Sequence, residues 1–356
     1  MSSWNSVNEE IARLAPRSDA FDIVRRQKMK AVEEVTERLL VVYAADYMPA
    51  DPLKAQFTAN LRAISLADKD GFDEVTRNLP KDSQIDVLLH SGGGSAEATE
   101  SIVALLRARF SHIRFIIPTV AKSAATMLAM SGEQLVMDER SELGPTDPQM
   151  IFNQEGRTIV APAQAIKDQF KTAQEEINAD PKKLPSWVPI LGWYGPALLA
   201  MCDNLLALSE ELVSKWLQQY MFAGNQKAKE KAERIAEYLA NHNQFRSHSR
   251  RVGMDDLQSL GANILDMRTE PKLHEAVRDL YTAISLTLSN TGAYKIVENS
   301  NGEALIGMLN INVNVQQQPQ PASTPTPSPP FAPTIPSTPA PGPNRQERRQ
   351  AARKRK

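Results

Sequence analysis

Short apolar runs alternate with amphipathic stretches through the middle of the chain. Leu39-Leu-Val-Val-Tyr-Ala-Ala45 is followed by an amphipathic stretch over 72–79, the run Val87-Leu-Leu89 and a helix-periodic segment over 95–110. Phe115-Ile-Ile117, a small-residue stretch over 123–131 and Leu135-Val-Met137 continue the rhythm. Brief apolar runs separated by amphipathic segments predict strands joined by crossover helices in a mainly parallel sheet, an α/β fold. Residues 84–90, 113–117 and 134–137 are expected to be neighbouring strands of that sheet.

The flanks read differently. Residues 8–38 are charged and place Ile11, Leu14, Ile23, Met29, Val32 and Val35 at helical spacing, with a stop and restart at Pro16-Arg-Ser-Asp19. They predict a helical arm over 1–38. Beyond a polar turn at Asn153-Gln-Glu-Gly156, helices are expected over 161–179, 197–221 and 226–241, and later over 271–290, before a polar strand-like segment over 294–309. The stretch 187–203 is the most apolar of the chain, but two prolines and two glycines interrupt it and Asp203 closes it. It predicts a loop and helix start packed on the core or on another subunit, not a membrane span. Trp187 and Trp193 also suit peripheral contact with a membrane interface.

Eleven of the 24 prolines fall between Pro319 and Pro343. That composition cannot bury enough apolar surface to offset the entropy of ordering it, so a disordered tail is expected over 311–356. Residues 344–356 carry seven basic side chains against one acidic, which divides the formal charge of −1 into +6 there and −7 elsewhere. A solubilising tail is one reading; an anionic partner, lipid or nucleic acid, is the other.

A hydrophobic content of 42% supports a core. The single cysteine, Cys202, excludes an intramolecular disulfide and any cysteine-based zinc site, and five scattered histidines give no metal-ligand spacing. No metal and no cofactor is expected. The N-terminus lacks the basic-then-apolar layout of a secretory signal, so a cytoplasmic location is expected, with membrane association open.

The candidate chemistry lies at two strand-to-helix turns. The run 85–90 breaks into Gly92-Gly-Gly94 before a helix, and Phe115-Ile-Ile117 leads to Lys122-Ser-Ala-Ala125 before another. A serine at such a turn points its hydroxyl into a cleft while the N–H of the next residue faces the same space. The glycine turn is not a phosphate-binding loop, because no Gly-Lys-Ser/Thr follows it.

His90-Ser-Gly-Gly-Gly94, Ala121-Lys-Ser-Ala-Ala125 and Leu143-Gly-Pro-Thr-Asp-Pro-Gln149 resemble successive blocks of the ClpP/crotonase superfamily. They are most similar to its serine dehydrogenase proteinase branch, related to signal peptide peptidase A and NfeD-type Ser–Lys proteases. The resemblance runs from about 39 to 265 and includes the closing segment 251–265. It implies a ClpP/crotonase-like fold of repeated ββα units, with a protease domain over 39–270 followed by a helix and strand extension over 271–310. It also implies Ser123 as nucleophile, Gly93 and Ala124 as oxyanion hole, and a homo-oligomer. Relatives commonly carry glycines after the serine, whereas Ala124 and Ala125 follow it here.

A serine hydroxyl needs a neighbouring base. The histidine that ClpP places about two dozen residues after its serine has no counterpart over 142–149. In the Ser–Lys relatives a lysine on a downstream helix serves, which implies Lys167, 44 residues past Ser123, with Lys171 one turn further. Such a lysine must be desolvated to titrate near neutrality, and Ala163 and Ile166 are suitable neighbours. His248 matches in position a histidine before the closing motif and is the third candidate. An ordinary solvated side chain is the alternative for each. His90 is expected to be a hydrogen-bonded strand-end residue, and Lys122 to meet solvent or a carboxylate. The expected activity is serine peptidase hydrolysis of a peptide or protein substrate by a Ser–Lys dyad. The alternatives are an inactive scaffold or peptide-binding protein on the same fold, and a crotonase-like acyl-CoA enzyme.

Overall fold

The computed structural model describes residues 4–154 and 157–310. The proline-rich and basic segment 311–356, expected to be disordered, lies outside the described residues.

Helices α1 (Trp4–Leu14) and α2 (Ala20–Thr36) lead into strand β1 (Leu39–Ala45), and α3 (Pro52–Phe57) and α4 (Leu66–Thr76) carry the chain to β2 (Ser83–His90). Helix α5 (Ala96–Arg107) crosses to β3 (Phe110–Ile116). A two-residue strand β4 (Val120–Ala121), the short helix α6 (Ala124–Ala129), β5 (Gln134–Met137) and β6 (Glu142–Leu143) follow. The hairpin strands β7 (Gln149–Gln154) and β8 (Arg157–Pro162) precede α7 (Ala163–Ala179), α8 (Leu184–Leu191), α9 (Leu198–Trp216) and α10 (Ala228–Ala240). The chain closes through α11 (His242–Phe245), β9 (Val252–Gly253), α12 (Met254–Ser259), β10 (Ile264–Asp266), α13 (Pro271–Asn290), β11 (Ala293–Asn299) and β12 (Ala304–Met308).

Seven strands form the main sheet in the order β10-β5-β3-β2-β1-β11-β12. The five from β10 to β1 are parallel, as the alternating pattern predicts, with β2, β3 and β5 side by side. The fold is thus mixed α/β with a large, mainly parallel sheet. Strand β11 extends it by antiparallel pairing with β1, and β12 pairs antiparallel with β11 at the edge.

Both faces of the sheet are covered, and β1 shows how. Val41 and Tyr43 belong to a core formed with α4, α5, α6, α9 and α10, while Leu40, Val42 and Ala44 face α2 and α13 on the other side. Alternate side chains point to opposite faces, so a strand buried on both is apolar throughout. The N-terminal helices are fixed by a buried pair, Arg25 Nε to Glu298 of β11 at 2.5 Å.

The structure departs from the sequence pattern at two places near the site. The segment expected to be a loop holds α8, an eight-residue helix with Pro185 in its first turn, where a fixed φ and a missing N–H cost nothing. Strands β7 and β8 flank the expected polar turn and pair only with each other.

Candidate active site

Ser123 sits between β4 and α6 with φ +52° and ψ −122°. An L-residue reaches that region only when its surroundings hold it there. The clamp is visible on both sides. Ser91 N–H donates to the Val120 carbonyl at 3.1 Å and Lys122 N–H donates to the Ser91 carbonyl at 2.9 Å, which ties the approach to Ser123 against the end of β2. Lys122 turns away from the serine, buried, with Nζ at 3.0 Å from the Leu143 carbonyl and 3.1 Å from Glu142. Burial pushes its amine below the ordinary lysine value while Glu142 pulls it back up. On the far side, the Thr126 hydroxyl lies 2.7 Å from the Ala121 carbonyl and accepts the Gly144 N–H at 3.0 Å.

Gly93 closes against this turn with φ +98°. A Cβ there would stand 2.6 Å from the Lys122 carbonyl oxygen and 2.8 Å from Ser123 Cβ, so only glycine permits the approach. Gly93 and Ser123 therefore meet, as their two turns predict. The Gly93 N–H donates to the Ser91 hydroxyl at 3.1 Å. Ala124 N–H opens α6, where no carbonyl of its own helix can accept it.

These residues line a cleft of about 590 Å³ with Met127, Ile151, Leu205 and Leu208. His248 lines the same cleft. Its Nδ1 stands 2.7 Å from Oδ1 of Asp147, a carboxylate 1% exposed, and His242 Nδ1 stands 2.8 Å from the other oxygen. An ionised carboxylate only accepts, so both rings donate from Nδ1, which leaves the His248 Nε2 as an acceptor whenever that ring is neutral.

The three candidate bases separate clearly. Lys167 Nζ pairs with Asp203 at 2.5 Å and its side chain is 36% exposed; Lys171 lies by Glu175 at 3.8 Å and is 75% exposed. Neither lines the cleft of Ser123, and of the three candidates only His248 does. Lys167 faces α9 instead, because Asp203 on that helix captures it.

Asp147 was not singled out by the sequence, although it lies within the Leu143–Gln149 block. Its partners are 95 and 101 residues away. The available signal was an aspartate between two prolines, paired with two of only five histidines spaced six apart. His90 is buried at its strand end, 2.9 Å from the Thr119 hydroxyl, and burial lowers its pKa to about 4. Away from the cleft, ligand atoms of Asp138, Glu139 and His274 lie within 4.8 Å of one another. Arg140 already holds the Asp138 Oδ2 at 2.7 Å, the oxygen that His274 also contacts, and a cation there would displace a cation.

Comparison with known proteins gives a partial family match. Residues 59–179 match the pattern of the family described as ClpP-like SDH-type serine proteinase. The match takes in about a third of the chain. It contains Gly93, Ser123, Ala124 and Asp147, and stops short of His248. The uncharacterized proteins MJ0137 and MJ1495 of Methanocaldococcus jannaschii are 36% and 32% identical to the chain over 87 residues. Each match takes in 24% of this chain, which spans 30% of the length of these curated relatives. Among solved structures, two variants of the 1510-N membrane-bound stomatin-specific protease are similar at 16% identity and a TM-score of 0.36. The match covers 59% of this chain and 79% of the first, and 70% and 83% for the second, which holds a substrate peptide. Among the described residues, no helix is long and apolar enough to cross a membrane.

Proposed function

We propose that the chain is a serine peptidase in which Ser123 is the nucleophile and His248, oriented by Asp147, is the general base. The observation that carries this reading is that His248 shares the Ser123 cleft while bonded through Nδ1 to a buried carboxylate. Lys167, the base implied by the Ser–Lys relatives, is bound to Asp203 and carries no such support.

In this scheme a peptide lies along the cleft with its scissile carbonyl over Ser123. The His248 Nε2 takes the hydroxyl proton as Oγ attacks, and returns it to the leaving amine. The oxyanion forms between the Gly93 and Ala124 N–H groups. Gly93 gives up its long bond to a neutral hydroxyl for a charge-assisted one, about twice as strong, so the exchange favours the transition state. Each oxyanion donor is worth on the order of 3 kcal/mol of barrier. Water then enters by the same base to release the acyl product.

The test is covalent labelling with a fluorophosphonate followed by peptide mapping. The expected result is a single adduct on Ser123, absent in Ser123→Ala. A wild type that stays unlabelled, yet binds peptides, would support the scaffold reading; saturable binding of an acyl-CoA without labelling would support the crotonase-like one.

A further inference from the structure

The active-site reading uses one of the two imidazoles on Asp147 and leaves the other without a task. His242 opens α11, with Asn241 capping that helix, and its Nδ1 lies 2.8 Å from Asp147 Oδ2 while its side chain is 14% exposed. Gln149 Nε2 reaches the same oxygen at 3.1 Å. His242 does not line the cleft. It therefore acts, if at all, through the carboxylate.

We propose that His242 is a positioning residue that, together with Gln149, holds Asp147 so that Oδ1 is presented to His248. This rests on the reading of His248 as base. The positional argument is geometric. A carboxylate bonded at only one oxygen can rotate about its Cβ–Cγ bond; on Oδ2 the His242 contact at 2.8 Å is shorter than that of the Gln149 amide at 3.1 Å, so His242 is the stronger hold on its plane and hence on the tilt of the His248 ring.

The experiment follows the fluorophosphonate labelling rate of Ser123 against pH in the full chain, for wild type, His242→Phe and His242→Asn. The Phe variant is expected to label about tenfold more slowly on the plateau, a part of the 10²–10⁴ that a general base supplies. The Asn variant restores a donor to Oδ2 and should recover the plateau to within about threefold, which a loss of packing alone would not permit. The NMR shift of the His248 Nδ1 proton in wild type and in the Phe variant reads the loosened contact with Asp147 without activity. An unmoved Nδ1 proton, or a Phe variant with the wild-type rate, would overturn the proposal. Should the Phe variant not fold, an Asn variant that labels within about threefold of the wild-type plateau supports it, and one that loses the plateau overturns it. A wild type that never labels would instead remove the peptidase reading, while the Nδ1 proton shift still decides whether His242 positions Asp147.

Discussion

Ser123 holds a backbone conformation that side chains rarely adopt, and the contact with Gly93 shows what keeps it there. The two residues are 30 apart in sequence, and both turns were legible because each is a local event: an apolar run breaking into small residues at a helix start. Asp147 was not legible, since its meaning lies in partners about a hundred residues away that no local pattern announces. Lys167 shows the converse. Its helix and apolar neighbours were read correctly, but the direction its amine takes depends on Asp203, a charge on another helix. At this scale His90 gives a direct prediction. Its folded pKa of about 4 lies below the ordinary value near 6.5, so above both values the native and unfolded chains are alike neutral there and the stability is fully present. As pH falls from 6.5 to 4, the unfolded chain binds a proton that the native state refuses, and stability declines by about 3 kcal/mol. Denaturant unfolding of wild type and His90→Asn should diverge across that window, with the wild type the steeper. Parallel curves would show that His90 protonates without penalty.

Among elements, β2, β3 and β5 could be read because parallel strands buried on both faces are continuous apolar runs. The hairpin β11–β12 was seen only as strand-like, because its place beside β1 depends on a pairing about 250 residues apart in the chain. One carboxylate interrupts the apolar run over residues 85–89 of β2. Asp86 is fully buried and faces Arg114 in register on β3, which grips it at 2.8 and 2.7 Å, while Arg38 reaches it at 2.6 Å. Burial lowers the Arg38 pKa, and Asp86 opposes that shift. Removing the carboxylate charge would leave two guanidinium groups facing each other at the sheet surface. Asp86→Asn is expected to lose about 3 kcal/mol of unfolding free energy. A loss below about 0.5 kcal/mol, the range of an ordinary surface substitution, would contradict this account of β2–β3 pairing.

For the molecule as a whole, the sheet and the helices over it bring four distant regions to one cleft: the glycine turn at 92–94, the Ser123 turn, Asp147 after β6, and His248 after α11. The first three lie in the segment that carries the family match, and the fourth arrives from outside it. This division explains why Gly93, Ser123 and Ala124 could be read from motifs while His248 could be named only as one of three candidate bases. It also states the central claim in a form that two substitutions separate. The decisive measurement compares fluorophosphonate labelling of Ser123 in His248→Ala and Lys167→Ala, with folding checked by circular dichroism. Residues that act as one unit fail together, so His248→Ala should label as poorly as Ser123→Ala, while Lys167→Ala should stay within about threefold of wild type, its exposed ion pair contributing little. Loss of labelling in Lys167→Ala with His248→Ala still active would contradict the account and return the base to the lysine.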